Sequence, residues 1–148
     1  DDHNERITEF HNAFMQQNEA MLDFLLTEHP HSDLLNSKHG AHNQTVLHLA
    51  ARQSDQRMLR FLLQRNANAD IQDERGETAL HIAVRKGDVS AVELLCGMNA
   101  NKWIRNNDDE IAMDLAMHRD TRQHRDILFI LEPNKQRLLR LKQQTSDD

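Results

Sequence analysis

Apolar residues recur along this chain at spacings of three and four rather than two, in blocks short enough to be single helices. In "QRMLRFLLQR", which opens after Asp55, Met58, Leu59, Phe61, Leu62 and Leu63 gather on one side while charged or amide residues take the other. The block before it, about Val46 to Gln53, reads as a shorter helix. Neither is long enough to be stable alone in water, so each must bury its apolar face against a neighbour.

The pattern then repeats. "TVLHLAA" begins at Thr45 and "TALHIAV" at Thr78, 33 residues further on. In that register Leu47 falls on Leu80, His48 on His81, Ala50 on Ala83, Leu59 on Val92, Leu62 on Leu95 and Ala67 on Ala100. Another 33 residues on, "IAMDLAM" starts at Ile111 and sets Met113 and Ala116 at the Leu and Ala positions. Looking back 37 residues from Thr45, "TEFHNAF" at Thr8 brings Phe10, His11, Ala13, Leu22, Leu25 and Leu26 onto the pattern. The chain therefore reads as four units of roughly 33 residues, each a pair of helices. The recurring alanines let helices of successive units approach closely. Asn66 and Asn99 stand where the second helices end and suit the left-handed conformation of a helix stop. "ADIQDERGET" and "NKWIRNNDDEI" then reverse the chain as hairpins, with Gly76 free to take positive φ.

The stretch "GETALHIAVRKGD", with the "AVELL" that follows it, resembles the ankyrin repeat, and the resemblance covers about residues 5 to 132. It implies an all-α fold: an ankyrin-repeat solenoid of stacked helix-turn-helix units with connecting hairpins. The domain would span 1–132, with repeats near 5–36, 40–72, 73–105 and 106–132. In that family the Thr and His of the repeat bond to each other and to backbone near the next turn. The resemblance thus gives this role to Thr45/His48, Thr78/His81 and Thr8/His11. The chain also departs from the family pattern. Pro after the Thr is missing in every unit, the inter-helix Gly survives only as Gly87, and Asp114 replaces His in the last unit. "RDTRQHRD" carries about three extra residues, and the first connector is about four residues long for the family, with Pro30 placed to stop the helix before it. Degraded outer units are what the solvent-facing caps of a solenoid require. Residues 133–148, with Lys135, Arg137, Arg140 and Lys142 among leucines, form either a C-terminal basic helix or a flexible tail.

Composition narrows the setting. At 148 residues the chain can bury a core without disulfides, and its one cysteine, Cys96, excludes an internal disulfide framework and fits a reducing compartment. No apolar run is long enough to span a membrane, so no membrane insertion is expected. The opening "DDHNER" shows neither a signal-peptide pattern nor an initiator Met, which suggests a piece of a longer polypeptide resident in the cytoplasm, with the nucleus also compatible. The net charge of −6 argues against nucleic acid as a general partner, because such binders need a basic surface that releases counterions.

Candidate chemistry is sparse. His29, His31, His39 and His42 crowd one connector, but no Cys pair accompanies them and their spacing matches no common metal site. Cys96 occupies the position of Leu63 one unit earlier, so it reads as a buried, inert thiol rather than a nucleophile. No phosphate loop, dinucleotide fingerprint or nucleophile elbow is present, so no enzyme activity, metal or cofactor is expected. What remains is surface. The first helices end in Arg52, Arg85-Lys86 and His118-Arg119, which align a cation in three consecutive units. The hairpin tips carry Asp73, Glu74 and Arg75, then Asn107 and Asp108. Trp103, where Asp70 stands one unit earlier, either anchors a partner or folds over the base of its hairpin. The resemblance implies a non-catalytic protein–protein interaction module that binds a peptide or folded domain on its concave, hairpin-tip face. The alternative is an intramolecular regulatory domain that caps or autoinhibits a larger enzyme or signalling protein. Weak self-association through Leu22, Leu25, Ile130 or Leu131 at the ends of the stack is a further route.

Overall fold

The computed structural model describes residues 2–30 and 33–132; residues 133–148 and the choice between a helix and a tail there lie outside them. Among the described residues the chain forms α1 (Asp2–Met15), α2 (Glu19–Glu28), α3 (Val46–Arg52), α4 (Gln56–Gln64), α5 (Ala79–Lys86), α6 (Val89–Gly97), α7 (Ala112–Met117) and α8 (Arg122–Leu131). They pair into four layers. Local sequence sets the boundaries. Thr45, Thr78 and Thr121 cap α3, α5 and α8, while Asn18, Asp55 and Asp88 cap α2, α4 and α6, each accepting from a backbone N–H of the first turn. Where the helix pair turns, Gln17, Ser54 and Gly87 take φ of 55°, 54° and 74°. Asn66 and Asn99 take φ of 64° and 62° after the second helices. Asn43, Gly76 and Asp109, again 33 residues apart, do so at the hairpins. Left-handed residues at a fixed interval thus reverse the chain at the same register in each unit.

The layers stack through one buried stripe. Ala50, Ala83 and Ala116 are fully buried, with Leu47, Leu80, Leu59, Val92, Leu62 and Leu95 around them. α3 lies on α5 and α5 on α7, and α4 lies on α6 and α6 on α8. α1 and α2 approach each other more closely than they approach α3 and α4. Buried Phe10 and Phe14 stand there in place of Leu47 and Ala51, and rings hold helices further apart than methyl groups do. Leu22, Leu25 and Leu131 are buried and Ile130 is half-buried, so the leucines expected to offer a sticky end lie inside the layers. The exposed large apolar side chains are instead Met15, Phe24, Met98, Trp103 and Met117.

Thr and His do two jobs in the inner layers. Thr45 N–H donates to His48 Nδ1 at 3.2 Å, and His48 Nε2 donates across to the Glu77 carbonyl of the next layer at 2.8 Å. Thr78 and His81 repeat this at 3.1 Å, with His81 Nε2 on the Glu110 carbonyl at 2.9 Å. A carbonyl only accepts, so Nε2 carries the proton and Nδ1 is the acceptor. Burial pushes the His48 pKa below its ordinary value, against the raising effect of the Glu77 carbonyl.

The outer layers divide the two jobs. Thr8, assigned by resemblance to the same role, is not a cap. α1 runs straight through it from Asp2, and its hydroxyl donates back to the Asn4 carbonyl at 2.9 Å. The reason is upstream: residues 2–7 contain no turn former, whereas Asn43 and Gly76 reverse the chain just before Thr45 and Thr78. His11 keeps the outward bond, with Nε2 3.3 Å from the Ser37 carbonyl. In the last described layer Asp114 keeps the capping bond, accepting from Ile111 N–H at 3.0 Å.

Candidate protein-binding surface

Each hairpin is built before any partner is considered. The Asp73 carboxylate accepts from the N–H groups of Arg75 and Glu77 at 2.9 and 3.0 Å, folding the turn around itself. Asn106 does the same for Asp108 and Glu110 at 3.0 and 2.9 Å. Neighbouring tips are then laced together. Glu74 N–H donates to the His42 carbonyl, and Asn107 N–H donates to the Arg75 carbonyl at 2.9 Å. The Asn107 amide adds a bond to the Glu74 carbonyl at 2.8 Å. Gly76 is needed twice over, for its φ of 72° and because a Cβ there would stand 2.8 Å from Asn107 N.

This geometry corrects one expectation. Asp73 is buried and does not face a partner. Its second oxygen accepts from the Gln44 side-chain amide at 2.9 Å. Burial alone would raise its pKa, but the Gln44 bond and the Glu77 and Arg75 N–H groups outweigh that and hold the carboxyl below its usual value.

The row of cations at the first-helix ends is anchored by residues that sequence reasoning passed over. Arg52 Nη1 donates to Gln44 Oε1 at 2.8 Å. One unit on, Arg85 Nη1 donates to Glu77 Oε1 at 2.6 Å and Nη2 lies 2.6 Å from Oε2, with the Glu77 side chain almost entirely buried. One unit further, His118 Nε2 lies 3.6 Å from Glu110 Oε2. The Glu77 hydrogen bond raises the Arg85 pKa against the lowering effect of burial. The signal was in the sequence: Gln44, Glu77 and Glu110 each directly precede the repeat's first position and stand eight residues before Arg52, Arg85 and His118. A second unforeseen feature is in α8, where Thr121 Oγ1 lies 2.6 Å from His124 Nδ1, reproducing the Thr–His box on a second helix.

The structure brings part of the expected set together. A groove of about 280 Å³ lies between the second and third layers, and Arg52, Asp73, Glu74, Arg75, Arg85 and Lys86 line it. A neighbouring recess of about 540 Å³ is lined by Glu74, Arg75 and Arg85 with Asn107 and Asp108. His118, Arg119 and Trp103 line neither. Trp103 is 57 % exposed and so does not fold over its hairpin; Lys102 Nζ lies 5.3 Å from its ring. Cys96 is half-buried, and burial pushes its thiol pKa up, away from the nucleophilic thiolate.

Compared with known proteins, residues 10–131 match the family model described as ankyrin repeats (3 copies). The chain belongs to the ankyrin-repeat family. Among solved structures, 385 chains match it. One is the ankyrin repeat domain of Bcl-3, described as a unique member of the IkappaB protein family, at 22 % identity with a TM-score of 0.72. That match covers 83 % of this chain and 50 % of the Bcl-3 chain, so this chain spans about half of it and the likeness concerns the fold. A search of curated proteins gave no match. Ankyrin-repeat domains are in general protein–protein interaction modules, and no described helix of this one is long and apolar enough to cross a membrane.

Proposed function

We propose that this ankyrin-repeat domain is a non-catalytic binding module that holds a partner polypeptide against its hairpin tips and the ends of its first helices. The observation that carries this reading is the pair of adjoining grooves of about 280 and 540 Å³, whose walls are cross-bonded before any partner arrives. Tips fixed by Asp73, Asn106 and Asn107 lose little conformational freedom on binding, which favours affinity. Charged and amide groups on the rim set register and orientation rather than bulk affinity. A reducing setting, cytoplasm or nucleus, suits the unpaired Cys96.

The test is a random-peptide display selection against the isolated domain, with the binding site of enriched peptides mapped by amide chemical shifts. Shifts should cluster at residues 42–44, 74–77, 85–86 and 107–109. Clustering on α2, α4, α6 and α8, or no enriched peptide at all, would defeat the reading.

A further inference from the structure

We infer that the groove between the second and third layers is a carboxylate-binding cleft, which receives an aspartate or glutamate side chain of an extended segment in the partner protein. This rests on the protein-binding reading above and adds the chemistry of what is bound. The argument is an account of which charged groups there are already engaged.

Every acid on the groove wall has a partner. Asp73 is committed to two backbone N–H groups and the Gln44 amide. Glu77 is gripped by Arg85 through both oxygens. Glu74, at the rim, pairs with His42 Nδ1 at 3.0 Å. The cations are differently placed. Arg85 is taken up by Glu77, but Arg52 rests on the neutral Gln44 amide and Lys86 Nζ donates to the Arg52 backbone carbonyl. The Arg75 side chain, exposed at the tip, pairs with no acid among the described residues. Arg52, Arg75 and Lys86 therefore keep positive charge and unfilled donors around one cleft, with Ile82 at its wall. Gln44 is the residue that creates the difference. Where the third layer has Glu77 to neutralise its arginine, the second layer has an amide of the same length with no charge. An incoming carboxylate would meet guanidinium donors in the geometry that suits them best.

The surroundings favour a peptide carboxylate over a polyphosphate. The chain carries a net charge of −6, and the adjoining recess presents exposed Asp108 and the rim acid Glu74 beside the Asn107 amide. A nucleic acid brings a phosphate with every nucleotide and would run onto those acids. A peptide can set one carboxylate in the cleft and a donor or neutral residue in the next recess.

The test uses the peptides enriched in the display selection, with affinities measured by fluorescence anisotropy. Enriched peptides should share an acidic residue at one position. Its replacement by the amide should weaken binding to the natural chain about tenfold or more, and more so at low salt. The same replacement should have little effect on the R52Q/R75Q/K86Q variant, whereas R119Q, outside the groove, should behave as the natural chain. If the triple variant does not fold, Arg75→Gln alone still decides, because its guanidinium supports no internal contact. Peptides that map to the tips but show no acidic preference would overturn the cleft and leave the binding module standing. A single-stranded DNA oligonucleotide that binds at Arg52, Arg75 and Lys86 more tightly than the peptides would overturn it in favour of phosphate.

Discussion

Between the second and third layers α3 lies close on α5, with Ala50 and Ala83 fully buried and His48 tied to the Glu77 carbonyl. Between the first and second layers the apposition is looser and the ties sit at the surface. Arg65 grips Asp23 through Nε at 2.6 Å and Nη2 at 2.9 Å, Arg57 lies 2.9 Å from Glu19, and the Gln17 amide reaches Asp55 at 3.0 Å. Exposed ion pairs contribute little to stability, about 0–1 kcal/mol each, because water competes for both charges. The same repeat therefore yields a rigid inner interface and a softer outer one, depending on whether small residues or phenyl rings stand where helices meet. The groove proposed for binding is lined wholly by the rigid pair.

The largest test of that contrast is in the core. Leu62→Ala, at a fully buried inner position, should cost about 2–5 kcal/mol in urea denaturation, through lost burial and a cavity that close-packed neighbours cannot fill. Leu22→Ala, equally buried in the first layer, should fall at the lower end of that range because its layer can settle inward. Equal losses would mean that the two interfaces are equally rigid.

The next test separates the two inner layers. Arg85→Gln should cost about 1–3 kcal/mol, since it strands the buried Glu77 carboxylate. Arg52→Gln should cost under about 1 kcal/mol, since it leaves only a neutral amide to find another partner. The aligned cations look equivalent in sequence but are not. Thermal melts of the two variants that coincide would show Glu77 to be satisfied without Arg85.

How much of this could be read from the chain follows from what each feature depends on. The helix pairs, the left-handed Asn66 and Asn99 and the hairpin glycine Gly76 were legible because they are local, set by periodicity and by residues that tolerate positive φ. The inner Thr–His boxes were legible through the family resemblance. Asp73 was misjudged because an acid at a tip looks solvated until the turn folds its own N–H groups onto it. The Gln44, Glu77 and Glu110 anchors were missed because they bind residues eight positions later, across a helix, a spacing no local rule flags. The exposure of Trp103 depends on the packing of the whole last hairpin and was undecidable from spacing alone.

Acid should act on both kinds of interface, and unequally. Burial pushes His11 down to about 4, against the raising effect of the Ser37 carbonyl, with His39 adding a further lowering. His48 is lowered in the same way. Both fold neutral, while the unfolded chain takes up protons near the ordinary value of 6.5. Their contribution is therefore complete above that pH and is lost as pH falls toward 4, with about one proton taken up per histidine on unfolding. Urea denaturation at pH 5 should give a stability about 1–2 kcal/mol below that at neutral pH. His11→Gln should flatten the part of this slope that belongs to the first layer. An unchanged slope would show that His11 is not buried as a neutral ring.

The smallest effect is the most discriminating, because it asks whether the repeat motif is one device or two. In the inner layers the threonine hydroxyl faces the third N–H of its own helix while the histidine reaches the next layer, so capping and stacking are coupled. In the first layer His11 stacks without a cap, and in the last described layer Asp114 caps without a histidine. If the two jobs are separable, Thr78→Ala should cost about 0.5–2 kcal/mol, the usual loss for an N-cap. Thr8→Ala should cost close to nothing, or stabilise slightly, since a hydroxyl bonded back to the carbonyl four residues earlier works against a straight helix. Thr121→Ala supplies the control: a true cap outside the aligned repeat position, expected to behave like Thr78. Three losses that follow repeat position rather than cap geometry would show that the family's threonine acts through something other than the helix end it faces.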